Sequence, residues 1–176
     1  TPFPEPVHMV SVPFAGGDAI DLGGGAQPVI HPNGRLVTYE KDDQLWQRAI
    51  DGTGEATALT QLRGRNHSPV WSPDGRQLAF VSSRGDLAYI GIYRGAGQPI
   101  VWADPDFDRD SSPRWSPDGE RLVFVRRPGV GGESEAMLDN RHRPWELRLF
   151  DPATARSERI WKAPATLAGS YPRSQG

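Results

Sequence analysis

Residues 68–82 read Ser-Pro-Val-Trp-Ser-Pro-Asp-Gly-Arg-Gln-Leu-Ala-Phe-Val-Ser, and this stretch decides the fold. Its centre, Pro73-Asp74-Gly75, is a turn. Proline suits the second turn position because its φ is already fixed, aspartate tolerates the third, and glycine accepts the positive φ that closes the hairpin. A short strand ends at Trp71 before the turn. The residues after it, Gln77–Val81, are nearly all apolar, as in a strand covered on both faces. The same phrase recurs as QPVIHPNGRLVTYE from Gln27 and SPRWSPDGERLVFVR from Ser112. The shared prolines Pro28, Pro69 and Pro113 lie 41 and 44 residues apart (69 − 28 and 113 − 69), a period that suits a four-stranded propeller blade. No stretch of ten residues has convincing helical periodicity, and β-branched and aromatic residues fill the runs between turns.

The rest of each repeat follows from its turns. In the second, Ser83–Asp86 leads to a strand at Leu87–Tyr93, and Arg94–Gly97 turns it into a fourth at Gln98–Trp102. The first repeat places strands at Leu36–Glu40, Leu45–Ile50 and Ala56–Thr60. The third places its later strands at Trp145–Phe150 and Ser157–Trp161. Ahead of them, Val7–Val12 and Asp18–Leu22 read as the outer half of another blade, and Gly169-Ser170-Tyr171-Pro172 resembles the entry to one more. The chain is therefore expected to be all-β: a β-propeller with a half blade at 7–22 and complete blades at about 28–60, 69–102 and 113–162. Closed propellers have about four to eight blades, so this ring does not close within the chain. Either the sequence belongs to a longer polypeptide, the reading favoured here, or copies of the chain combine as a homo-oligomer. Trp71 and Trp115, with Ile30 at the equivalent place, are expected to fill the space between blades.

Composition narrows the function classes. A net charge of −2 lacks the basic excess of nucleic-acid binders. Apolar runs are a few residues long, against about 20 for a membrane-spanning helix. With no cysteine there is neither a disulfide nor a thiolate site.

The pattern x-P-x-W-S-P-D-G-x-x-L-x-F resembles the propeller repeats of TolB-like proteins and of the dipeptidyl peptidase IV and prolyl oligopeptidase family. The phrases RGDLAYIGIY, DFDRDSSPRWSPDG, FVRRPGVGGE and RIWKAPATLAGSYP are similar to the amino-terminal propeller of a bacterial member of that peptidase family. The resemblance implies an α/β-hydrolase domain with a Ser-Asp-His triad elsewhere in the polypeptide, short peptides as substrates, and a periplasmic or secreted location. None of the family's catalytic residues maps here. A nucleophile elbow needs G-x-S-x-G, and Gly169-Ser170-Tyr171 does not supply it; Glu133 and Glu135 lack the context of the glutamates with which some relatives grip a substrate amine.

Other constellations point to structural roles. Asp104, Asp106, Asp108 and Asp110 alternate, but without the glycine and glutamate of a calcium loop, so they read as a solvated loop of capping carboxylates. His8, His31, His67 and His142 have no metal-ligand spacing, and no cofactor is expected. His31 stands where Ser72 and Ser116 precede the turn proline, which suggests a structural part.

The long link of the third repeat, Arg127–Arg143, is the feature expected to meet a partner. In an up-and-down blade it shares a face with the connections between blades. That face collects Asp108, Arg109, Asp110, Arg126, Arg127, Glu133, Arg141 and Arg143 as candidate contacts with substrate or with the hydrolase domain. The alternative is a TolB-like scaffold without enzymatic activity that presents a propeller face to protein partners.

Overall fold

The computed structural model describes residues 7–129 and 144–166. Glu133, Arg141, Arg143 and the expected blade entry near residue 170 lie outside them. No α-helix occurs among the described residues. Strands β1 (His8–Ser11) and β2 (Ile20–Gly24) pair as an antiparallel half blade. The first complete blade is β3 (Ala26–Ile30), β4 (Leu36–Lys41), β5 (Gln44–Ala49) and β6 (Thr57–Ala58), paired in sequence order. The second is β7 (Arg65–Trp71), β8 (Leu78–Arg84), β9 (Leu87–Tyr93) and β10 (Val101–Trp102). The third is β11 (Arg109–Trp115), β12 (Leu122–Arg127), β13 (Glu146–Asp151) and β14 (Arg156–Lys162). The architecture is a β-propeller whose ring is not closed. A parallel bridge between Arg109 and Ala88 joins the second and third blades.

Three differences from the sequence reading have physical causes. The first strands begin at Ala26, Arg65 and Arg109, ahead of the repeated prolines, because each proline sits inside its strand at a bulge. Proline has no N–H to give to a ladder and is confined to such places. Second, Ser83 and Arg84 extend β8, so Arg84 pairs with Leu87 and only Gly85-Asp86 form the link, with Gly85 at φ 62°. Third, Ile30 is 61% exposed and does not fill an inter-blade space. The half blade in front of it supplies two outer strands and no inner pair to pack against.

Trp71 and Trp115 do lie between blades. The Trp71 ring packs on Leu45, Leu78 and Phe80 and donates its indole N–H to Thr38 Oγ1 at 3.1 Å. Trp115 packs on the core shared by the second and third blades and donates to the Val70 carbonyl at 3.0 Å. Each ring thus buries its apolar body and places its one donor on the preceding blade. The turns between the first two strands of each blade repeat the same local chemistry. Ser72 donates to Asp74 at 2.6 Å and accepts from the Gln77 N–H at 2.9 Å; Ser116 and Asp118 do likewise with Arg121. His31 replaces the serine in the first blade. Its Nδ1 takes the Asn33 N–H at 3.1 Å and its Nε2 reaches the Gly75 carbonyl at 3.1 Å, tying the first turn to the second.

The second blade is covered on both sides. Phe80 packs toward the first blade, while Ala79, Val81, Ile90 and Ile92 pack under Leu122, Phe124 and Phe150 of the third. Gly91 pairs with Phe80, and a methyl group at Gly91 would overlap the buried phenyl ring. Gly91→Ala is therefore expected to cost about 1–3 kcal/mol through overpacking. Phe80→Leu should recover part of that loss in the double variant, as read by urea denaturation; a double variant with additive losses would show that the two sites do not compete for space.

Candidate functional site

The connection between the second and third blades, residues 103–108, meets the end of β12. The Gly129 N–H donates to Asp108 Oδ1 at 3.0 Å, so the inter-blade link and the start of the long third-blade link share one face. Arg126 is the hub beneath that face. Its Nε and Nη2 make a two-pronged contact with the Asp110 carboxylate at 2.8 and 2.9 Å, and its Nη1 reaches Asp104 Oδ2 at 3.1 Å. Nη2 also donates to the Asp104 carbonyl. The chain of charges continues outward across the blade. Arg148 Nη2 contacts Asp104 Oδ2 at 2.5 Å, Arg148 Nη1 contacts Glu146 at 3.2 Å, and Arg159 lies 3.5 Å from the other Glu146 oxygen.

Burial divides the candidate residues. Asp110 and Arg126 are only 2% and 4% exposed, so they satisfy each other and face no solvent. Arg109 and Arg127 are exposed and opposite one another in the ladder, and Asp108 is half-buried. These three are the described candidates that a partner could touch. Burial pushes the Asp110 carboxyl up to about 6, against the pull of Arg126. Burial also acts to raise Asp104, but contacts from Ser157, Arg126 and Arg148 outweigh it and hold that carboxyl below its ordinary value. Asp104, set aside above as a loop carboxylate, is thus the joint between two arginines. Arg148 and Glu146 were not singled out by the sequence reading: alternation along a strand is the same for an ion ladder as for a solvated face.

The equivalent of Asp110 in the second blade is Asn66, and that of Arg126 is Ser82, from matched ladder positions. Asn66 is buried and neutral. It donates to the Asp43 carbonyl, the Gly64 carbonyl and Gln44 Oε1 at 3.2–3.3 Å. At the matched positions the second blade thus buries a neutral amide tied to the first blade, with Ser82 Oγ beside it unpartnered.

A second surface lies on the channel side of the inner strands β3, β7 and β11. Gln27, Ser68 and Ser112 each precede the repeated proline and hold φ values of 50°, 53° and 54°. Each opens a bulge in which the inner strand spends one more residue than its partner. An open concavity of about 650 Å3 runs along the three bulges, bounded by Pro28, Pro69 and Pro113, with His67, Ser111 and Arg114 among its polar walls. His67 hydrogen-bonds Ser68 Oγ at 3.0 Å through Nδ1 and Ser83 Oγ at 2.9 Å through Nε2. Burial, aided by the nearby Arg65, lowers its pKa from the ordinary histidine value. The sequence carried no signal for these bulges, because a residue before proline ordinarily takes an extended conformation with negative φ, whereas these three are left-handed. Among the described residues no group of three metal-ligating side chains occurs.

No family model matches the sequence. Over 92 residues the chain is 39% identical to tricorn protease homolog 2 of Streptomyces coelicolor, a stretch that covers 44% of this chain and 8% of that protein. The structure of a TolB-type protein from Agrobacterium tumefaciens superposes with a TM-score of 0.62 at 27% identity, covering 86% of this chain and 55% of that one. The β-propeller domain of the trilobed protease from Pyrococcus furiosus, described as having an open velcro topology, superposes with a TM-score of 0.62 at 13% identity over 88% of this chain and 49% of that one. The last likeness concerns the fold alone. The chain spans about half of these propellers and a small part of the tricorn relative.

Two predictions follow from this geometry. Asp110→Ala leaves the buried Arg126 short of its two-pronged partner and should cost about 3–5 kcal/mol. Asp110→Asn leaves Arg126 an acceptor of the same shape and should lose less; denaturation midpoints compare the three proteins. His67 has a folded pKa below its unfolded value, so its contribution to stability is present above about pH 6.5 and is lost as pH falls below it. The Tm advantage of the parent over His67→Gln should therefore shrink between pH 7 and pH 5.

Proposed function

We propose that this chain is the propeller part of a larger serine peptidase, where it docks on a catalytic α/β-hydrolase domain and limits which peptides reach it. The observation that carries the reading is the 39% identity over 92 residues with a tricorn protease homolog. The mixed polar lining of the concavity supports it, since an extended peptide needs both flat apolar walls and scattered hydrogen-bonding groups. On this reading the exposed pair Arg109 and Arg127, with Asp108 beside them, belongs to the docking face, together with Glu133, Arg141 and Arg143. The link to the dipeptidyl peptidase IV and prolyl oligopeptidase family rests on the sequence phrases quoted above. A periplasmic or secreted location goes with the same resemblance.

The likeness to a TolB-type protein at 27% identity over 86% of the chain favours a second reading, a scaffold that binds other proteins without catalysis. One experiment separates the two. The protein made from its own gene is treated with a fluorophosphonate, and labelled serines are mapped by mass spectrometry. A peptidase gives one labelled serine outside residues 1–176 together with cleavage of short peptides. Neither label nor cleavage leaves the scaffold. In the peptidase case, Arg109→Glu with Arg127→Glu should change KM for peptides or loosen the two domains without altering the Tm of the propeller; unchanged kinetics and association would remove this face from the docking surface.

A further inference from the structure

The first bulge carries its own ligand. The Ser68 N–H sits at the left-handed residue of the second bulge. It donates to Gln27 Oε1, from the first blade, at 2.9 Å. Gln27 exposes a carboxamide, which is the chemical equal of a main-chain amide. A side chain therefore occupies the first inter-blade position along the channel wall as a peptide carbonyl would.

The next position along lacks that side chain. Ser112 has the same φ as Ser68, the same bulge and the same following proline, so its N–H is aimed in the same way. The residue in Gln27's place is Ser68. Its hydroxyl is too short to follow Gln27 and is engaged with His67 Nδ1 at 3.0 Å. Among the described residues no side chain accepts from the Ser112 N–H. Beside it, Ser111 Oγ is buried with no hydrogen-bond partner. Arg114, exposed and lining the same concavity, adds a cationic donor. The groups gathered here can all donate, and a buried donor without an acceptor is costly.

We infer that the channel wall between the second and third blades, at Ser112 and Arg114, binds a main-chain carbonyl of an extended peptide, which takes the part that the Gln27 carboxamide plays for Ser68. The inference deepens the peptide-gating reading and rests on it for the identity of the ligand; the geometry of the site stands without it. A carbonyl oxygen has two lone pairs and can accept from the Ser112 N–H and the exposed Arg114 guanidinium together. The prolines on either side give the peptide flat walls without competing donors.

The test is a 15N NMR titration of the chain with acetyl-alanine methylamide, a blocked peptide unit without charge, into the millimolar range. The Ser112 amide should shift saturably and the Ser68 amide should not. Ser68→Gln should fill the site from within, as Gln27 does, and weaken binding about three- to tenfold, the worth of one hydrogen bond. Gln at this position is compatible with the backbone, because Gln27 already holds the same φ. Gln27→Ala should do the reverse and make the Ser68 amide respond. A Ser112 amide that does not move, or that moves equally in Ser68→Gln, overturns the inference. So does a response to acetyl-alanine with its free carboxylate but not to the blocked form, lost in Arg114→Gln, which would make the site one for anions. Absence of a fluorophosphonate label with a positive titration would instead reject the peptidase reading and leave the site.

Discussion

Each inner strand is built around a left-handed residue followed by proline, and much of the structure depends on that pair. For a residue that is not glycine the left-handed region is uncommon, yet it recurs at Gln27, Ser68 and Ser112 with φ values within a few degrees of one another. The extra residue bends the strand and breaks its ladder for one step. Proline accepts the gap because it has no N–H to lose. Beyond the bulge the strand resumes in the register that sends Trp71 and Trp115 into the inter-blade space. At Ser68 the same step gives the N–H to the Gln27 side chain of the preceding blade. Architecture and channel chemistry therefore share one local device.

The blades agree in backbone and differ in what they bury. Between the first and second blades the ties are neutral: Asn66 on Asp43 and Gln44, Trp71 on Thr38, His31 on Gly75. The desolvated Arg126–Asp110 pair lies within the third blade, and Arg126 and Arg148 both reach back from it to Asp104 in the link from the second blade. Such a pair contributes little net stability once desolvation is counted, but it is intolerant of losing one member. What it secures is the position of the inter-blade link, because Arg126 holds both the side chain and the carbonyl of Asp104. The exposed Arg109 and Arg127 are the next pair along the ladder from Asp110 and Arg126.

The repeat was legible because turn chemistry is local. Pro-Asp-Gly fixes a hairpin with little help from the rest of the chain, and two tryptophans at equal offsets from it find the same environment. His31 could be read as structural for the same reason, since its position in the repeat matched a serine with a capping part. The charged network was not legible. Asp104 and Asp110 could be seen as an alternating acidic run, but only packing brings Arg126 and Arg148 to them from strands far along the sequence. Ile30 was misplaced because its pattern matched two tryptophans whose partners exist, whereas its own neighbour is a half blade. The two-residue link at Gly85-Asp86 was read too long because Ser83 and Arg84 are polar, and polarity marks solvent as readily as it marks a loop.

The third blade ends the described array with a face that the second blade keeps covered. Val123, Val125, Leu147 and Leu149 hold the ladder positions of Ala79, Val81, Ile90 and Ile92, and all four are only half-buried. In a row of units that touch only their neighbours, stability is a sum of unit and interface contributions. The second blade draws on two interfaces and the third on one. In the 176-residue chain by itself, protection of the backbone amides against exchange with solvent should therefore be highest in the second blade and fall toward the third.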